Sequence, residues 1–189
     1  MGERGTVGAL VPAGFERIVR VDAPRAERHG LAHEVLTSVV ELGEAATSTR
    51  DSICVAVWEG WGWETAQMLR ANTEPRRWFQ RRGPQSDSLG SAKDMLGAEL
   101  AELPRLELEQ RTYRLLSGPA QAVLTMHDPV TVWGDLVPDM FWPADRAWFV
   151  ASDTDIAWTY VAGASNFTAA LLEAWPDATG LVGWSDPLA

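Results

Sequence analysis

The 189 residues contain one cysteine, Cys54. No disulfide can close within the chain, so its stability rests on a packed core. Cys54 lies inside the apolar run Ile53-Cys54-Val55-Ala56-Val57, which points to a buried thiol. Long apolar runs are missing too. No stretch reaches the roughly eighteen residues that a membrane-spanning helix needs. The opening MGERGTVGALVPAG has no long apolar segment behind a basic one, so it does not read as a secretory signal, and the expected location is the cytoplasm. Positive charge is scarce: 16 Lys and Arg face 26 Asp and Glu, for a net charge of -10. Such a surface repels nucleic acid and anionic lipid and favours basic partners. Phosphate-loop and dinucleotide fingerprints are absent, as is a Gly-x-Ser-x-Gly elbow.

Tryptophan, by contrast, is plentiful, with ten in the chain. The stretch Trp58-Glu59-Gly60-Trp61-Gly62-Trp63-Glu64 places three of them beside two carboxylates, directly after the apolar run. Tryptophan offers large apolar area and one N–H donor, which suits binding hot spots. The glycines let a backbone approach closely. Burial of the same rings at the end of a sheet, contributing on the order of 2 kcal/mol each, is enough by itself to account for them. Trp142, in the apolar trio Met140-Phe141-Trp142, is a further surface candidate.

The periodicities predict an α+β domain. A strand is expected over 15–21 and another, covered on both faces, over 53–58. An amphipathic helix is expected over 31–43, stopped by Gly43, and a short one over 65–71. Leu106 to Leu116 reads as one strand, and Ser117-Gly118-Pro119 as a turn opening a short helix over 120–126. Residues 130–134 read as a brief pairing segment and 136–144 as a loop. Strands over 147–151 and 156–161 form a hairpin. A helix follows from Ser165 or Asn166, either of which can cap it, to Pro176. The sum is a single domain over 1–189, with an antiparallel or mixed sheet of four to five strands packed by three to four helices. Residues 72–97, rich in Pro, Gly and Ser, read as a flexible insertion or long loop, followed by a short helix within 93–103.

Catalytic constellations are weak. Glu59 and Glu64 are raw material for acid/base chemistry, but sequence does not set their separation. His29 and His33 are four apart, yet Gly30 stands where a zincin motif needs glutamate, and His127 is remote; no metal site is predicted. His127-Asp128 with Cys54 or Ser117 does not form a recognisable nucleophile pair. The basic island Arg76, Arg77, Arg81 and Arg82 around Trp78 and Phe79 reads as a solvated loop or internal neutralisation, ahead of a protein contact or a polyanion site. Arg146 is placed to bridge Asp155 across the hairpin. Asp153-Thr154-Asp155 reads as a hairpin tip, since calcium-loop spacing is missing.

Trp142-Pro143-Ala144-Asp145-Arg146-Ala147-Trp148, the Asp155 to Gly163 segment, Trp58-Glu59-Gly60-Trp61-Gly62 and Thr112-Tyr113-Arg114-Leu115-Leu116-Ser117-Gly118-Pro119 together resemble a family of poorly characterised proteins from high-GC actinobacteria. That resemblance implies no catalytic or binding residue. The strand-turn-strand-helix ending is loosely similar to immunity-type proteins of the SMI1/KNR4 architecture, which implies a non-enzymatic, acidic toxin binder.

The reading that results is a non-catalytic cytoplasmic binding domain of immunity or regulatory type. It binds a protein partner, possibly a basic one, through a tryptophan patch made of Trp58, Glu59, Trp61, Trp63, Glu64 and Trp142, with no cofactor, metal, membrane or nucleic acid. The alternative is a small enzyme or small-molecule binder with an acidic, aromatic-lined cleft at Trp58–Glu64.

Overall fold

In a strand, successive side chains point to opposite faces. In β6 (Trp148–Ser152) and β7 (Thr159–Gly163) every position is buried, so both faces of the sheet must be covered. The computed structural model describes residues 4–22, 31–59, 103–108, 111–125, 138–153 and 155–188. Their strands, β1 (Arg17–Val21), β2 (Ile53–Trp58), β3 (Arg105–Glu107), β4 (Thr112–Gly118), β5 (Met140–Pro143), β6, β7 and β8 (Thr179–Val182), form one sheet in the order β3-β4-β2-β5-β6-β7-β1-β8. Every pairing is antiparallel. Helices α1 (Val7–Leu10), α2 (His33–Ala46) and α3 (Ser165–Ala174) join it, with a 3-10 turn at Ala120–Thr125.

One face carries Val19, Ile53, Val55, Phe141, Trp148, Val150 and Val161 against α2 and α3. Val35, Leu36, Val39 and Val40 recur at helical spacing and form the buried stripe of α2. Trp148 sits at the centre with no exposed surface, edge-on to Phe141 at 5.8 Å and tilted against Phe167 at 6.2 Å. The other face carries smaller residues, Ala56, Ala151 and Ala162, beside Met140, Phe149 and Tyr160. Its cover is thinner: α1 and the segment 184–188. They are tied together by Val7 N–H to Asp186 O, Gly8 N–H to Trp184 O and Leu188 N–H to Gly5 O, each 2.9 Å.

The expected sheet of four to five strands is overturned by the eight observed. The strand read over Leu106–Leu116 is a hairpin, β3 and β4, closed by Leu108 N–H to Arg111 O at 2.9 Å. The loop read over 136–144 contains β5, which lies between β2 and β6; Pro143 is tolerated because it ends the strand. β8 is short, and only its pairing with β1 makes it a strand. Ser117 and Gly118 continue β4 and do not form the expected turn. The second hairpin strand starts at Thr159, three residues later than expected.

Two helix ends also differ. α2 runs through Gly43 to Ala46. Gly43 is there for packing: a Cβ on it would lie 2.7 Å from the Trp148 ring. Neither Ser165 nor Asn166 is the N-cap of α3. Ala164 holds that position, and Glu16 from the chain before β1 accepts the Ser165 N–H at 2.8 Å. The Ser165 donors lower the Glu16 carboxyl below its ordinary range. The predicted features at 65–71, 72–97, the Arg76–Arg82 island, most of 93–103 and 130–134, together with His29 and His127, lie outside the described residues.

In an exposed helix interior Gly→Ala gains about 1 kcal/mol. Gly43→Ala is expected to do the opposite here and cost about 1–3 kcal/mol, because the methyl overpacks against Trp148. Urea denaturation compares the two proteins. A variant as stable as wild type would show that the ring yields easily.

Candidate functional site

Trp58 ends β2 half-buried, and its N–H donates to the buried Asp139 carboxylate at 2.8 Å. Its ring is covered. The Arg111 guanidinium lies 4.5 Å from the ring centroid, held in place by Asp153 at 2.9 Å and Asp155 at 2.6 Å. Asp155 is thereby used, so the expected Arg146–Asp155 bridge is replaced by Arg111–Asp155. Glu59 is paired as well: its Oε1 meets Arg105 Nε at 3.0 Å and Arg114 Nε at 2.5 Å. Two guanidiniums thus occupy that carboxylate oxygen from within the protein. Opposite Trp58 in register is Tyr113, and burial followed by the Asp139 charge pushes its phenol up to about 12. This end of the sheet is therefore a charge network stacked on one tryptophan. Trp61, Trp63 and Glu64 lie outside the described residues.

Trp142 is in a different setting. Alternation along β5 sends Met140 and Trp142 to the thinly covered face and Phe141 to the helical one. The segment 8–15 passes over that face and leaves a recess of about 560 Å³ beneath it. Trp142, Phe149 and Met140 make its floor, and Leu106 and Leu108 one side. Leu10, Val11, Pro12 and Phe15 close the other. The rings form a continuous wall: Trp142 to Phe149 is 5.5 Å between centroids and Phe149 to Phe15 is 6.2 Å. Elsewhere on this face Arg20 covers Trp158, whose indole N–H donates to Leu188 O at 3.0 Å. Trp142 thus differs from Trp58 and Trp158, which a guanidinium already covers.

Among the described residues Arg146 is the only ionisable side chain lining the recess. It belongs to the turn between β5 and β6 and is exposed, with φ at 57°, in the left-handed region that a non-glycine residue adopts only when held there. Its N–H donates to Pro143 O at 2.8 Å. The neighbouring Asp145 does the holding. Its carboxylate accepts from Thr47 Oγ1, Ser48 N and Ser48 Oγ, all at 2.8 Å, and from Ala147 N at 3.1 Å. Burial at the turn pushes this carboxyl up, but the Ser48 and Thr47 donors prevail and bring it from 3.8 to about 2. Cys54, paired with Trp142 across β2 and β5, is half-buried and not fully enclosed as expected. Burial pushes its thiol up, against the pull of Arg146.

Of the predicted binding residues, Trp58 and Glu59 fall in the charge network and Trp142 in the recess. Phe15, Leu106, Phe149 and Arg146 were not predicted as recess residues. No local signal marks them: β5 is too short for alternation to register, and Phe149 shares a face with Met140 and Trp142 only through the β5–β6 pairing. Among the described residues no group of three or more His, Cys, Asp or Glu could hold a metal ion, and no helix is long and apolar enough to cross a membrane. Comparison of the chain with protein families, curated proteins and solved structures finds no match.

Asp145 links acid to stability. A carboxyl whose folded pKa lies below its unfolded value stabilises the fold above the unfolded value, and that contribution disappears as pH falls through the folded one. Asp145→Asn is expected to be less stable than wild type at neutral pH, with the gap closing as pH falls from 3.8 to about 2. Urea midpoints measured across that range test this. An offset independent of pH would assign the effect to lost packing.

Proposed function

We propose that this chain is a non-catalytic binding domain that takes an apolar guest in the recess beside Trp142. One observation carries the reading: a concave volume of about 560 Å³, walled by three aromatic rings, whose only ionisable lining residue among those described is an arginine. Small-molecule sites are typically concave, mostly apolar and of roughly 300–1,000 Å³. A guanidinium keeps its proton at any working pH, so it serves as an anchor and not as a general base. The reading keeps the chain in the cytoplasm and assigns it no cofactor.

A protein partner docking through the same aromatic face is the second reading. It is favoured by the half-buried Trp142, a residue type that anchors interfaces when a partner desolvates it. The resemblance to the actinobacterial family and to immunity-type proteins belongs with this reading, and the net charge of -10 would suit a basic partner.

The test is titration with a neutral apolar fluorophore, N-phenylnaphthylamine. One saturable equivalent is expected. Trp142→Ala should weaken it roughly tenfold or more, through loss of one aromatic wall. Ala13→Trp, at an exposed position on the recess rim, should block it without opening the core. Absence of saturable binding, or equal binding by all three proteins, would remove the recess as the site and leave the protein-partner reading.

A further inference from the structure

We infer that the guest is an anionic amphiphile: a small carboxylate whose flat or aliphatic body lies on Trp142 and Phe149 while its head meets Arg146. The inference rests on the recess reading and adds the chemical class of the ligand. Three observations support it. First, among the described residues no carboxylate pairs with the Arg146 guanidinium. The adjacent Asp145 is committed to Thr47, Ser48 and Ala147 on the other side of the turn. Second, the arginine is positioned and not merely tethered. Its backbone is held at a φ of 57° by the Pro143 carbonyl, in a turn that the Asp145 contacts fix to the end of α2. Third, the rest of the described lining is apolar or backbone, so a bound body displaces water around the cation and strengthens its attraction for an anion.

The planar guanidinium fork matches a carboxylate with two parallel N–H···O bonds, a geometry that a neutral hydroxyl cannot copy. The chain's overall field runs the other way. At a net charge of -10 it draws cations and repels anions, so adventitious uptake would favour a cationic amphiphile. A preference for the anion must therefore come from a local source, and Arg146 is the cation at this recess among the described residues.

Three ligands sharing one ring system separate the possibilities: naphthoate, naphthol and naphthylmethylammonium, titrated calorimetrically at neutral pH in low and high salt. Wild type should bind naphthoate roughly tenfold or more tighter than naphthol, as one charge-assisted contact implies, with the ammonium weakest. Added salt should narrow the gap, because the arginine is exposed. Arg146→Gln should abolish the preference by bringing naphthoate to the level of naphthol, while Arg146→Lys should retain part of it. Circular dichroism confirms that each variant keeps its fold. Equal binding of all three ligands, a preference for the ammonium, or a naphthoate preference that survives in folded Arg146→Gln would overturn the inference. In each of those cases naphthol binding that is still lost in Trp142→Ala would leave the recess reading intact. If no naphthyl ligand and no neutral fluorophore binds, both fail together.

Discussion

The Trp148 indole donates to the Gly43 carbonyl at 2.8 Å, and this contact fixes how the first layer of helices meets the sheet. Each partner has a need that the other meets. A buried indole N–H left unpaired costs about 1–3 kcal/mol. The last four carbonyls of a helix have no intrahelical donor, and Gly43 is the first of those four in α2. The ring can reach the carbonyl only because residue 43 has no side chain. A second close approach, Gly163 under Phe167 and Trp148, seats α3 beside it. The consequences extend beyond the core. Once the end of α2 is fixed, so is the Thr47-Ser48-Thr49 segment that follows. That segment holds Asp145, and the turn containing Asp145 also carries Arg146.

The two faces of the sheet are unequal, and the recess follows from that inequality. The helical face is filled from both layers by valines together with Leu, Ile, Phe and Trp side chains. The other face mixes the alanines Ala56, Ala151 and Ala162 with large rings, Phe149 and Tyr160 among them. The chain passing over those rings, Gly8-Ala9-Leu10-Val11-Pro12-Ala13-Gly14, has few side chains large enough to fill the space between. Gly14, at φ 112°, turns this segment in a conformation that larger residues avoid. Volume therefore remains between a rigid aromatic floor and a small-residue cover. Interiors normally close such gaps, because voids forfeit contacts on every wall.

The charge network at the other end of the sheet illustrates how an aromatic-rich motif can be committed to the protein's own structure. Trp58 and Glu59 have the composition of a binding site. Arg111 occupies the ring and Arg105 and Arg114 occupy the carboxylate. All three arginines come from the β3–β4 hairpin, about fifty residues further along the chain.

What the sequence determined by itself was whatever depends on near neighbours in the chain. The apolar runs of β2 and β6, the helical spacing of Val35, Leu36, Val39 and Val40, and the final helix are all local periodicities. Trp142 stood out for the same reason, as part of an apolar trio. Tertiary structure decided the rest. β5 and β8 are four residues each, too short for alternation to register, and they are strands because of hydrogen bonds to distant partners. Gly43 reads as a helix stop when only its propensity is known, and as a packing necessity once Trp148 arrives from 105 residues away. The recess joins residues 8–15, 106–108 and 140–149, and whether Trp58 or Trp142 was left open depended on where the arginines fell. Local propensity is carried by adjacent residues, whereas a cavity and its charge are properties of surfaces that meet only after the chain has folded.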